Sequence, residues 1–178
     1  MIHRCIHRRA FVLLLVSVTS IAAAGQRGAN LERLRASLDE AQDSLESGQL
    51  ERAETLFRQV RDDSSALGPA NLPLARATDG LADVHRRTGR LREAATLYEQ
   101  SAGLWTTLLG ERQPRLATTL HNLGAVRLAL ERPDLAELPL KRALEIWEAT
   151  LGPDSEHALN TRRLWLRARS SASGQLDG

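Results

Sequence analysis

Cysteine is almost absent from this sequence: Cys5 is the only one among 178 residues. A single cysteine excludes an intramolecular disulfide and leaves no set of thiols for a structural metal site. Aromatic residues are scarce too, at 3% of the chain. Those present fall on predicted core faces rather than among basic residues, which argues against a nucleic-acid surface. Neither sign of charge dominates. Three of the 24 basic residues (Arg4, Arg8 and Arg9) lie in a segment expected to be removed, and the remaining 21 face 22 acids. A near-neutral chain offers no electrostatic case for nucleic acid or for an anionic membrane. β-Branched residues are sparse outside the N-terminus. What the chain does have is Leu, Ala, Arg and Glu, which are good helix formers. With 42% hydrophobic and 26% charged residues, the composition is that of a folded, single-domain, all-α protein.

The longest apolar run, Ala10 to Ile21, spans 12 residues and is broken by Ser17, Thr19 and Ser20, whereas a membrane-spanning helix needs roughly 20. Basic residues precede it and small ones follow, with Ala22 and Ala24 in the spacing a signal peptidase reads. Residues 1–24 are therefore expected to be a signal peptide cleaved between Ala24 and Gly25, and the mature chain to be periplasmic or secreted, free of the membrane. An uncleaved anchor is the alternative. Cys5 lies before the apolar run, not at the junction where a lipoprotein carries its acylated cysteine.

A fixed interval then runs through the chain. Leu67-Gly68-Pro69, Leu109-Gly110-Glu111 and Leu151-Gly152-Pro153 are 42 residues apart, as are Trp105 and Trp147, Ala94 and Ala136, and Leu81 and Leu123. A period of this length signals stacked supersecondary units. Each unit reads as two helices. Leu116, Leu120, Leu123 and Leu130 share one helical face, and Ala136, Leu140, Ala143, Leu144, Trp147 and Leu151 share another. Gly48 and Gly89 mark the turn between paired helices, and Pro69 and Pro153 stop the second helix. The predicted units are about 30–67, 72–109 and 114–151, with a capping helix at 156–169 and a disordered tail at 170–178. The first copy is one residue shorter between Phe57 and Leu67, and the third lacks a turn glycine. Pro139 lies inside the second helix of the third copy, so a kink or a late helix start is expected there.

Residues for catalysis do not cluster. His85, His121 and His157 are 36 residues apart, without ligand spacing for a metal. Gly68, Gly110 and Gly152 stand singly rather than in a phosphate-cradling loop, and Ser64-Ser65 have no nearby base. No metal, cofactor or enzymatic activity is expected.

Ala117-Thr118-Thr119-Leu120-His121-Asn122-Leu123-Gly124 and Lys141-Arg142-Ala143-Leu144-Glu145-Ile146-Trp147 carry a family resemblance, supported by Glu93-Ala94-Ala95-Thr96-Leu97-Tyr98 and Arg52-Ala53-Glu54-Thr55-Leu56-Phe57. The chain resembles tetratricopeptide repeats of the 42-residue, kinesin-light-chain type over about residues 30–169. The resemblance implies a right-handed α-α superhelix whose first helices line a concave groove for a peptide or protein partner. Carried over residue by residue, the second copy would present Arg76, Asp79, Asp83 and Arg86. The third would present Thr118, His121, Asn122, Ala125 and Leu128, the first Leu38, Gln42 and Leu45, and the last helix Asn160, Arg163 and Arg167. Asn122 stands at the family's asparagine position, where an amide can pair with a bound backbone through donor and acceptor. The alternatives are a self-associating spacer, whose open ends stack on other copies, and a regulatory subunit of a larger complex.

Overall fold

The computed structural model describes residue 26 and residues 28–174, with side chains as far as 171. The predicted signal peptide and its Ala24–Gly25 cleavage site lie outside the described residues. The chain divides into two compact units, 1–36 and 37–178. In the first unit, residues 28–36 are helical, and Arg35 pairs with Glu32 at 2.8 Å one turn away.

The second unit is an all-α helical solenoid. Its elements are α1 (37–46), α2 (Leu50–Ser64) with a 3₁₀ turn (Ser65–Leu67), α3 (Leu72–Arg87), α4 (Leu91–Leu109), α5 (Pro114–Ala129), α6 (Pro133–Leu151) and α7 (Glu156–Gly174). From α2 onward each helix packs on the next, and α5 also touches α7. Most of the apolar stripes read from the sequence are buried: Ala53, Phe57 and Val60 on α2, Tyr98 and Trp105 on α4, Leu140, Ala143 and Trp147 on α6; Leu151, at the end of α6, is exposed instead.

Two kinds of joint set the repeat. Between paired helices, the chain turns through a residue with positive φ: Gly48 at 79°, Gly89 at 78° and Glu131 at 59°. The next residue's N–H reaches back five positions each time, Gln49 to Ser44, Arg90 to His85 and Arg132 to Arg127, at 2.8–2.9 Å. This left-handed cap satisfies helix-end carbonyls and tolerates a non-glycine residue at some cost. That is how the third copy manages without its glycine. Between pairs, Gly68, Gly110 and Gly152 combine φ of 111°, 86° and 89° with ψ of 171°, 179° and 158°. This region is open essentially to glycine alone, which explains the unbroken Leu-Gly spacing.

The shortened first copy ends in the 3₁₀ turn, Ser65–Leu67. Three residues at the 3₁₀ rise cover about 6 Å, as four do in an α-helix. The tighter turn thus restores the reach that the missing residue removes.

Two expectations need correction. α6 begins at Pro133 and runs through Pro139 to Leu151, so it does not start late. Pro139 has no N–H for the Leu135 carbonyl, and Arg127 on α5 supplies the donor instead, Nη1 to oxygen at 2.7 Å. The other guanidinium nitrogen, Nη2, donates to Glu99 at 2.5 Å. The last helix extends beyond 169 to Gly174. Ala168 is fully buried and Arg169 stacks over Trp165, which anchors the turn that carries the helix on.

Candidate partner-binding groove

The first helix of each pair contributes one stripe to a shared groove of about 290 Å³. α1 provides Leu38, Gln42 and Glu46; α3 provides Arg76, Asp79, Gly80 and Asp83; α5 provides Arg115, Thr118, Thr119 and Asn122. Steps of three and four residues keep each set on one face. Gly80 and Asn122 occupy equivalent positions, 42 residues apart. Phe57 of α2 also lines the groove. It packs so closely on Gly80 that a Cβ there would sit 2.3 Å from its ring.

Much of the groove's polarity is already engaged. Asp79 accepts from Trp105 Nε1 on α4 at 2.8 Å and from the Thr119 hydroxyl on α5 at 3.0 Å. Burial pushes its carboxyl up to about 6 from an ordinary 3.8, against the lowering effect of its hydrogen-bond donors. Asp83 accepts from the Tyr98 hydroxyl at 2.6 Å and pairs with Arg86 at 3.2 Å. Arg76 pairs with Asp39 at 3.2 Å, and the Gln42 amide donates to Glu46 at 2.7 Å. Asn122 and Arg115 differ: neither side chain has a hydrogen bond or ion pair among the described residues.

Seven of the residues implicated by the resemblance therefore share the groove: Leu38, Gln42, Arg76, Asp79, Asp83, Thr118 and Asn122. Arg86, His121, Leu128, Arg163, Leu45, Ala125, Asn160 and Arg167 do not line it. Arg86 is tied to Tyr98 and Asp83. His121 meets Thr161 of α7 through Nδ1 at 2.8 Å. Burial holds the His121 pKa below its usual value. Leu128 borders a separate hollow with Glu131, Pro133, Arg167 and Ser171. Arg163 is exposed on α7, bonded to Asn160 at 2.6 Å. Leu45, assigned to the groove with the first copy, is buried in the core instead, and its carbonyl accepts from Arg87 at 2.7 Å. Glu46, Phe57, Gly80, Arg115 and Thr119 escaped the sequence reading. Arg115 and Glu46 follow from helical spacing, one turn from Thr118 and Gln42. Phe57 does not, because its access depends on what stands opposite it on another helix.

Among the described residues no group of three His, Cys, Asp or Glu side chains is placed to hold a metal ion, and no helix is long and apolar enough to cross a membrane.

A family model described as tetratricopeptide repeat matches residues 32–104 and 73–149. The chain belongs to the tetratricopeptide-repeat family. Two crystal structures of nearly identical TPR-like repeats from a candidate kinesin light chain of Podosopora anserina share its fold, one of them carrying a point substitution. Each is 20% identical and covers 82% of this chain and 69% of the other, with TM-scores of 0.66 and 0.65. BtubC (BKLC) from P. vanneervenii is 24% identical, with a TM-score of 0.59 over 68% of this chain and 48% of that one. A comparison with curated proteins gave no match. Tetratricopeptide repeats are protein–protein interaction modules in general and typically non-catalytic scaffolds, so the fold directs attention to surfaces rather than to reactive groups.

Proposed function

We propose that this protein is an exported, non-catalytic adaptor that holds a peptide or protein segment in the groove between α1, α3 and α5. One observation carries the groove assignment. The Asn122 amide lines it without an intramolecular partner among the described residues, while Asp79, Asp83 and Thr119 beside it are satisfied. An amide left with a free donor and acceptor matches the pattern of an extended backbone, which offers one of each per residue. Arg115, exposed and unpaired on the same face, adds a cation that suits a carboxylate on the guest. The export half rests on the three-part N-terminal segment of residues 1–24.

A photo-crosslinking side chain at Thr118, introduced in the native cell, is expected to capture a defined partner that the same probe at exposed Lys141 on α6 does not. Asn122→Ala and Arg115→Ala should weaken that capture without changing helical circular dichroism. Equal capture from Thr118 and Lys141, or by the Asn122→Ala variant, would refute the groove. For export, N-terminal sequencing of protein from the native cell is expected to begin at Gly25; a cytosolic chain retaining Met1 refutes it.

A further inference from the structure

Among the described residues, α7 is the only first-type helix not followed by a second helix of its own pair. Its inner side is buried through Ala158, Thr161 and Ala168. On the opposite side Leu159 and Leu166 are 41% and 51% exposed, flanked by exposed Arg163, Arg167 and Ser170. At the helical angle these five fall within an arc of about 100°.

The repeat shows what these positions normally do. Leu159 is equivalent to Ala75 and Ala117, and Leu166 to Ala82 and Gly124, all of them buried beneath other helices. At Gly124 the fit is so close that a Cβ would lie 2.3 Å from Leu140. Leucine at 166, in place of Ala82 and Gly124, leaves no room there for another helix of the same repeat at the same spacing. Leu159 and Leu166 together put two large apolar side chains where a helix facing only water carries polar ones.

The charges point to what covers them. Arg162 pairs with Glu148 at 2.7 Å, and Arg169 lies over Trp165. Arg163 meets only the Asn160 amide, and the Arg167 side chain has no hydrogen-bond or ion-pair partner among the described residues. Arg163 and Arg167 are equivalent to Asp79 and Asp83. In the second pair, the covering helix α4 reaches those two aspartates through Trp105 and Tyr98, seven residues apart and in reverse order. A helix lying antiparallel on α7, with two acids seven residues apart, meets both arginines. Small residues between those acids leave room for Leu159 and Leu166. A second α7 is a poor occupant, since it sets arginine against arginine.

We propose that this face of α7 docks an acidic amphipathic helix of another protein, seated on Leu159 and Leu166 and ion-paired to Arg163 and Arg167. The surface is separate from the groove, so the two assignments stand or fall independently. The test is fluorescence anisotropy of the full chain with a labelled, alanine-rich helical peptide of about 20 residues carrying glutamates seven apart. Saturable binding is expected, weakening with added salt and about tenfold or more with Arg163→Glu/Arg167→Glu or with Leu166→Glu. Asn122→Ala should leave it unchanged. The substituted α7 residues are exposed, and circular dichroism verifies that each variant folds. Failure of the peptide to bind overturns the proposal, as does equal binding by the charge-reversed chain or by a lysine version of the peptide. A concentration-dependent dimer that Leu166→Glu abolishes also overturns it, by giving the face to a second copy.

Discussion

Asp79 holds three helices together with one carboxylate, joined to Trp105 and Thr119. The same burial that makes it useful as a joint raises its pKa to about 6. A group that binds its proton more readily in the folded state favours folding fully below about pH 3.8, and that contribution is lost as pH rises through about 6. Asp79→Asn keeps an acceptor for Trp105 and carries no charge to bury. Its stability relative to the parent chain should improve by on the order of 1–2 kcal/mol between pH 4 and pH 7, read from urea unfolding at the two values. An unchanged difference would mean that the carboxylate is better hydrated than its surroundings imply. The joints give a second contrast at this scale. Glu131→Gly relieves a left-handed non-glycine residue and should stabilise by about 1 kcal/mol. Gly110→Ala puts a Cβ where the backbone admits essentially none and should cost about 1–3 kcal/mol. Thermal melts of the two variants should therefore move in opposite directions.

At the level of the element, α6 shows how a helix accommodates proline when a neighbour supplies the missing donor. In the parent chain Arg127→Ala leaves the Leu135 carbonyl without its guanidinium partner. In a Pro139→Ala background the restored backbone N–H can take over. The loss caused by Arg127→Ala should therefore be smaller in that background, with a coupling on the order of 1 kcal/mol in a double-mutant cycle. Additive losses would show that the contact contributes little. This element also marks where sequence reading succeeds and fails. Ala136, Leu140, Ala143 and Trp147 declare the helix and its buried face by spacing alone. Pro139 argues against that helix locally, and the residue that answers it stands twelve positions away on α5. The corner glycines were legible because their 42-residue interval survives in every copy. The function of the first copy's 3₁₀ turn was not, because a one-residue deficit says nothing of how the backbone recovers it. In the groove, Asn122 and Thr118 were legible from the family pattern. The engagement of Asp79 and Asp83 was not, since it depends on Trp105 and Tyr98 of the covering helix.

For the molecule as a whole, each helix leans mainly on its neighbours in sequence, so stability should be graded along the stack rather than uniform. Amides of α3 to α6, packed from both sides, should exchange with solvent most slowly. Those of α7 should exchange faster, because one of its faces carries exposed Leu159 and Leu166. Native-state hydrogen exchange resolved by segment reads this directly, and slowest exchange in α7 would contradict it. The inter-pair corners at Gly68, Gly110 and Gly152 have a consequence for growth of the chain. Each hands the backbone to the next unit in nearly the same direction, whatever the length of the helix before it. An extra copy of residues 111–152, spliced in after Gly152, would arrive at a junction already shaped to receive it. Duplication can thus lengthen the array in whole steps, with each new module inheriting its orientation from a single glycine.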